Sequence, residues 1–504
     1  MSLSRADTSL LHSARDLALV TLSLCLLPFS VATICLAYIA RFLGLIRIPN
    51  PRPLTHDGRQ PRILVTGVSM AKGLFLARSF FLGGCTVLAA DVELGGAPVC
   101  GRFSSAVTQF YTLEDPNGPN GSSAYIEQVL DLVEQEEVDI WISCSGVSSA
   151  IADAILMERI EAETKCRAFQ FNESATRSLD DKYQFMNQTK EFGLMYPRWY
   201  WLDTREAIKD VVHKIEKNRM AGAASDDYWI VKNVGVDDRT RGALPLLNSS
   251  DSARMIEVTG ALEYNSRTSW IMQHYIDGGE EYCTHSVVVN GQVMAFVACP
   301  SSSILLHYRL VDPTSALSDA MLKFTKRYSE RMFHKYGAFT GHLSFDFIVK
   351  TTATEEGVKK VLVPIECNPR CHTATIQFRG TEEALTSAYL SVLTGTEGVA
   401  DVLFPMASQR EASHYWMAHD LVVLYLLPIL RYCTGSLRLE AMFRIHLDFW
   451  RHVFTWKDPT FEWWDPLPWL IMNHVYWPAR LCSASWNGTR WSQLNISTTK
   501  IFVI

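Results

Sequence analysis

A chain of 504 residues is too long for one ordinary domain at roughly 150 residues each. With 48% hydrophobic, 20% charged and 11% aromatic residues it is also too apolar for a disordered chain, which lacks the surface needed to offset its entropy. A formal net charge of -6, from 47 basic and 53 acidic residues, gives a phosphate backbone no long-range attraction, so nucleic acid is not expected as a partner and small molecules are.

In chain order, the first feature is an uncharged apolar run of 24 residues from Leu17 to Ala40. At 1.5 Å per residue it measures about 36 Å, enough to cross a hydrocarbon core of roughly 30 Å, so a transmembrane helix is expected over 17–40. Arg5 and Arg15 before it are offset by Asp7 and Asp16, whereas Arg41, Arg47, Arg52, Arg59 and Arg62 follow it. The positive-inside rule then predicts a single-pass membrane protein with its globular part facing the cytosol. A cleaved signal peptide is the alternative, but the run exceeds a typical h-region and no A-x-A site precedes the basic cluster. Twelve cysteines without a CxxC pair suit reduced thiols in the cytosol better than a disulfide framework. Sequons at Asn120, Asn172, Asn187, Asn248, Asn487 and Asn495 mean nothing on a cytosolic domain, and glycosylation at them would contradict this orientation.

Beyond a proline-containing linker, Ile63 to Thr66 reads as a buried strand and Ala71 to Phe80 as the helix after it. A strand ending at Asp91, a helix over Tyr125 to Glu136, a strand over Val138 to Gly146 and a helix from Ser148 continue the alternation. That predicts a Rossmann-like parallel sheet over 58–175. From Lys182 longer strands follow at hairpin spacing, among them YWIVKNV, SWIMQHYI, THSVVVNGQVMAFVA, GHLSFDFIVK and KKVLVPIECN, so an antiparallel α+β domain is expected over 176–400. Residues 401–504 hold nine of the fourteen tryptophans and read as a helical region. Within it Leu421 to Leu430 is too short to span a membrane. Residues 437 to 454 are amphipathic, with Leu439, Met442, Phe443, Leu447, Trp450 and Phe454 on one face and Glu440, Arg444, Asp448 and Arg451 on the other. The apolar face suits either a membrane surface or a cap packed on the preceding domain.

The turn GVSMAKG over Gly67 to Gly73 lacks the middle glycine of G-x-G-x-x-G, and the chain has no G-x-x-x-x-G-K-[ST]. Asp91 stands where a ribose-binding acid would follow a second strand, which leaves an NAD(P)-dependent oxidoreductase as an alternative, though an aspartate closing a strand is the simpler account. The chemistry gathers instead around Asp346, Glu366 and Asn368. Alternation along a strand puts Glu366 and Asn368 on one face and turns Cys367 away, and a hairpin loop over Lys350 to Gly357 would bring Asp346 beside Glu366. Two carboxylates and an amide are hard oxygen donors suited to Mg²⁺ with substrate phosphates. Lys182 and Lys232 supply point charges for those phosphates. The loop between Gly235 and Gly242 could close backbone N–H groups over them or be an ordinary exposed hairpin. Cys367, Cys371 and His372 are read as structural, since they offer too few ligands on one side. His285 and His342 lie near the site and could serve as a base, though a satisfied structural histidine is the simpler account.

These motifs resemble the ATP-grasp superfamily over about residues 60 to 400, in the family's order of a Rossmann-like pre-domain and two α+β lobes that grip ATP. The resemblance implies that Lys182 and Lys232 hold the phosphates, that Asp346, Glu366 and Asn368 bind magnesium, and that Arg370 in IECNPR steadies the transferred group. It also implies that WIMQHYIDGGEEY is the hinge, with backbone around Gln273, His274 and Ile276 meeting adenine and Glu281 meeting ribose; Gln273 stands where the family often carries Glu. More narrowly, PRILVTGVSMAKGLFLARSF, DIWISCSGVSSA, GGEEYCTHSVVV, FVACPSSS and GHLSFDF are similar to ATP-grasp proteins of fungal secondary-metabolite clusters, including the fumisoquin type of isoquinoline alkaloid pathway. The implied activity joins a small-molecule carboxylate to an amine, one of them an amino acid, through an acyl phosphate, with ATP and Mg²⁺, or Mn²⁺ in its place. Lys232 and Arg370 would be the catalytic pair. A membrane-tethered nucleotide-binding scaffold without turnover is the alternative from another class.

Overall fold

The structure, a computed structural model, describes residues 5–55, 58–144, 146–220, 227–234, 246–264, 270–301, 306–354, 357–394, 401–406 and 413–503. The long helix α1 (Arg5–Phe42) holds the apolar run. It is long and apolar enough to cross a membrane, and only 11% of its most apolar window is buried. It does not stand apart from the body, however. Arg15 donates to the Trp491 carbonyl, Asp16 accepts from the Trp491 indole, Ser30 meets His474 Nε2 at 2.8 Å, and Arg41 donates to the Trp464 carbonyl. From Arg15 to Arg41 a helix rises about 39 Å, so residues 464–491 run alongside it rather than beyond one end.

A parallel sheet follows, made of β1 (Arg62–Thr66), β2 (Thr86–Val92), β3 (Gln109–Leu113), β4 (Ile140–Ser143) and β5 (Arg167–Phe169), in the order β3-β2-β1-β4-β5. Its helices are α2 (Ala71–Leu82), α3 (Gly121–Gln135) and α4 (Ala150–Glu163). Period-two alternation divides each strand between two cores. Ile63, Val65, Val87 and Ile142 pack against Phe75, Leu76 and Phe80 of α2, while Leu64, Leu88 and Trp141 pack against Val129, Leu156 and Ile160 of α3 and α4. Coverage on both faces is why these strands read as nearly continuous apolar runs. The β1–α2 turn is tight: Gly67 has φ +82°, and a Cβ on Gly73 would lie 2.3 Å from the Gly67 carbonyl oxygen. The sequence pattern does not predict β3 or β5, because the first is a half-exposed edge strand and the second has three residues.

Two short helices, α5 (Glu173–Asp180) and α6 (Lys182–Glu191), lead into a four-stranded sheet of order β6-β9-β7-β8. It comprises β6 (Trp199–Leu202), β7 (Tyr228–Asn233), β8 (Leu246–Asn248) and β9 (Trp270–His274), backed by α7 (Arg205–Met220) and α8 (Ser252–Gly260). A second sheet, of order β11-β10-β13-β14, comprises β10 (Glu280–Val289), β11 (Gln292–Pro300), β13 (Gly341–Thr354) and β14 (Gly357–Asn368), with α9 (Ala316–Tyr336) packed against it; the short β12 (His307–Arg309) lies between. The β10–β11 link is a two-residue Asn290-Gly291 turn with φ of 49° and 78°, the twist that antiparallel strands favour. β13 runs to Thr354 and β14 starts at Gly357, so the connection is shorter than the expected loop over Lys350 to Gly357. The 235–245 loop lies outside the described residues.

After α10 (Glu382–Thr394), the C-terminal region is not purely helical, contrary to expectation. β15 (Ser413–Tyr415) pairs with β12 and ties the region to the body. α11 (Met417–Asp420), a π-helical turn over Leu421–Leu426, α12 (Leu427–Cys433), α13 (Leu439–Thr455), α14 (Leu467–Ile471) and α15 (Trp477–Trp486) follow. The chain then closes with a hairpin of β16 (Trp491–Asn495) and β17 (Lys500–Val503). Arg78 of α2 and Asp465 form a buried ion pair at 2.9 Å, and Asp465 also accepts from the Ser104 hydroxyl and the Ser105 N–H. On α13 the buried side holds Phe449 and His452, whereas Leu439, Phe443, Leu447, Trp450 and Phe454 are exposed. The apolar stripe therefore faces away from the body.

Candidate active site

Strand register builds the centre of the site. Asp346 on β13 stands opposite Glu366 on β14, Ser344 stands opposite Asn368, and the register shifts just after Asp346. Cys367 points the other way, into the core beneath. The three polar side chains line a cavity of about 560 Å³ that also receives Lys182, Lys232 and Arg370. Lys182 opens α6, just after the Asp181 side chain caps that helix, and its Nζ lies 3.7 Å from a Glu366 oxygen. Lys232 comes from β7, paired with Ile271 of β9 in the other sheet. Cations and acids thus meet from both sheets. Arg370 is held at two points, donating to Asp180 at 2.6 Å and to the Asn368 amide oxygen at 2.5 Å, while the Asn368 amide nitrogen donates to Asp346 at 3.0 Å.

The donor chemistry fits a hard divalent cation: two carboxylates face each other across a strand pair, one already near a lysine ammonium. Asn368 fits only after a turn of its amide, because its oxygen is engaged by Arg370. Around this centre the electrostatics are set by burial. The Lys72 Nζ donates to the Cys371 carbonyl at 2.7 Å, and burial pulls its ammonium down from the ordinary range. Burial pushes the Asp91 carboxyl up to about 6, against the N–H groups of Ser69 and Val92 that it accepts. His372 is held neutral by burial, with its pKa lowered to about 3, and its Nδ1 accepts from the Ala374 N–H. His285 and His342 are fully buried and depressed by the same cause, and His342 Nε2 meets the Tyr389 hydroxyl at 2.7 Å.

Among the residues expected to meet adenine and ribose, Gln273, His274, Ile276 and Glu281 are not on the lining of this cavity. Gln273 pairs with Ile230, which does line it, and its Oε1 is buried without a hydrogen-bond partner. The His274 ring bonds Asp227 at 3.0 Å and packs on Trp229, on the helix-backed face, and its backbone N–H donates to the Arg198 carbonyl. Ile276 is buried, and Glu281 is exposed at the start of β10.

Several lining residues escape sequence reasoning. Asp180 carries a signal in the LDDK motif, because the same short stretch supplies Lys182. Tyr476, Arg480 and the stretch Ser497 to Phe502 of the final hairpin form a wall of the cavity. No local pattern announces that wall, since it is brought in by tertiary packing of α15 and β17 against the parallel sheet's turns.

No family model matches the chain and no curated protein matches it. Solved structures give weak likenesses. N5-carboxyaminoimidazole synthetase from Staphylococcus aureus is 15% identical over 68% of this chain and 79% of that one, with a TM-score of 0.45. Phosphoribosylamine–glycine ligase from Thermotoga maritima is 15% identical over 68% and 77%, with a TM-score of 0.44. L-amino acid ligase from Bacillus licheniformis is 12% identical over 66% and 74%, with a TM-score of 0.42. Likenesses at this level assign neither fold nor activity, and the functional reading rests on the cavity itself.

Proposed function

We propose that the chain is an ATP-dependent carboxylate–amine ligase of ATP-grasp type, organised as a pre-domain over 58–175, a two-lobed nucleotide-gripping domain over 176–400 and a C-terminal region over 401–504. One observation carries the reading: Lys182 of α6, Lys232 of one sheet, Asp346, Glu366 and Asn368 of the other, and Arg370 just after β14 line a single cavity. Asp346 and Glu366 would hold magnesium, with Asn368 joining them, and the ion would supply charge neutralisation on phosphate oxygens. Lys182 and Lys232 offset the same charge from either side. Arg370, fixed by Asp180 and Asn368, is positioned to stabilise an oxyanion with little side-chain entropy left to lose. In this reading a carboxylate oxygen attacks the γ-phosphorus and ADP leaves. An amine then attacks the acyl phosphate and phosphate leaves. No protein nucleophile is needed, because the work is positioning and electrostatic stabilisation. Gln273, His274, Ile276 and Glu281 remain our choice for the nucleoside end. Natural-product assembly, alkaloid type included, is supported by the sequence resemblance alone.

The same reading makes the protein membrane-bound through α1, with the cavity facing the cytosol. Exposure of Leu17, Leu24, Phe29, Leu36 and Ile39 supports it, and residues 464–491 would then share the helix's depth. Full-length protein in detergent, given MgATP, pooled amino acids and hydroxylamine, should yield ADP, phosphate and a hydroxamate, all absent with Glu366→Ala. AMP and pyrophosphate would replace this chemistry with adenylation. Tight ATP binding without turnover would make the chain a nucleotide-binding scaffold.

A further inference from the structure

Away from the cavity, three imidazoles converge on one carboxylate. Asp420, at the end of α11, is fully buried. Its Oδ1 lies 2.8 Å from His307 Nε2 and 2.9 Å from His419 Nδ1, and its Oδ2 lies 2.6 Å from His452 Nδ1. The ligand atoms of His307, Asp420 and His452 all fall within 4.8 Å of one another. These residues come from β12, α11 and α13, separated along the chain by 113 and 32 positions. Trp456 walls the cluster, with its ring 4.0 Å from that of His452 and 5.5 Å from that of His307.

A buried carboxylate is ordinarily paired with Arg or Lys, since an uncompensated interior charge costs several kcal/mol. The chain uses that solution nearby, between Arg78 and Asp465. Asp420 instead has only histidine ion-pair partners among the described residues. Neutral imidazole is the commonest metal ligand, and a nitrogen–oxygen donor set without sulfur selects a zinc-class ion over a copper(I) or iron–sulfur site. Bonds of about 2.0–2.1 Å in a tetrahedron put neighbouring ligand atoms about 3.4 Å apart, a spacing that small side-chain rotations reach from the one observed.

We infer that His307, Asp420 and His452, with His419 as the fourth side chain in reach, form a binding site for a zinc-class divalent cation that fastens the C-terminal region to the body at the β12–β15 pair. Because its ligands are assembled only by folding, ion binding would add directly to the stability of that junction. Since β12 also carries Tyr308 into the cavity, the junction stands one residue from the proposed active site, yet the inference does not depend on the activity assigned there.

The test is metal analysis of full-length protein purified in detergent without chelators, with zinc in the growth medium. The expected content is about one zinc per chain, falling about tenfold or more in Asp420→Asn and His452→Ala. Should those variants fail to fold, the wild-type chain decides. Loaded with cobalt(II), it should show the visible absorption of a tetrahedral ion without a thiolate-to-cobalt charge-transfer band. Wild-type protein that takes up neither ion overturns the inference, as does zinc retained by the variants. A thiolate band also overturns it, by moving the ion to the other clustered group, His285, His342 and Cys371.

Discussion

The Asp346 cluster and the Asp420 cluster are two polar centres of one molecule, built in opposite ways. The first comes from adjoining strands of one hairpin, where Asp346, Glu366 and Asn368 are brought together by register and alternation. The second takes ligands from three elements scattered over more than a hundred positions. A hairpin needs only local pairing to present its residues, so its chemistry is readable along the chain. A cluster that forms when distant elements dock has no such signature. The difference also predicts how each fails: damage to the hairpin site should remove chemistry and spare the fold, whereas damage to the C-terminal junctions should loosen the fold.

The sharpest break of that comparison is Glu366→Ala. Turnover should fall by about a thousandfold or more, equivalent to roughly 4 kcal/mol of transition-state stabilisation, with an unchanged melting midpoint by circular dichroism. A large drop in midpoint would make Glu366 structural. Asp465→Ala should do the reverse, leaving Arg78 buried and unpaired at a cost of about 3–5 kcal/mol, read as a lower denaturation midpoint. A wild-type midpoint there would show that the C-terminal region does not depend on this anchor.

A smaller effect separates two residues of one strand. His342 and Asp346 share a face of β13, yet Asp346 meets the cavity while His342 is buried, its pKa lowered to about 3 chiefly by burial. Between about 3 and the ordinary 6.5, the unfolded chain therefore binds the extra proton. His342 contributes fully above 6.5, and that stability is lost as pH falls toward 3, at up to roughly 1.4 kcal/mol per pH unit. His342→Gln should flatten the slope of unfolding free energy over that window, and an unchanged slope would place the acid sensitivity elsewhere. The smallest effect belongs to Arg159, which is partly exposed and paired with Glu127 and Glu163 at the surface. Arg159→Ala should leave the melting midpoint where it is, since such pairs are screened and mobile.

The sequence made much of the half that holds the cavity legible. Apolar runs bounded by turn residues mark β1, β2 and β4, and polar residues set into apolar strands mark Asp346, Glu366 and Asn368. The edge strand β3 is half-exposed and lacks an apolar run, β5 has only three residues, and β16 and β17 are too brief to be told from loop. On α13 the amphipathic period predicts a helix correctly, but it does not say which face is covered: the apolar stripe is exposed, and the buried side carries a histidine bound to Asp420. Arg480 and the β17 wall are likewise products of docking, which leaves no periodic trace.

The central claim is that the cavity activates a carboxylate by phosphorylation, and isotope transfer addresses it directly. Full-length protein would turn over MgATP with pooled amino acids labelled with ¹⁸O in their carboxylates, and the released phosphate would be analysed by mass spectrometry. An acyl phosphate requires one labelled oxygen in the phosphate for each ADP formed. Label appearing in AMP, or phosphate carrying no label while amide product accumulates, would contradict the account.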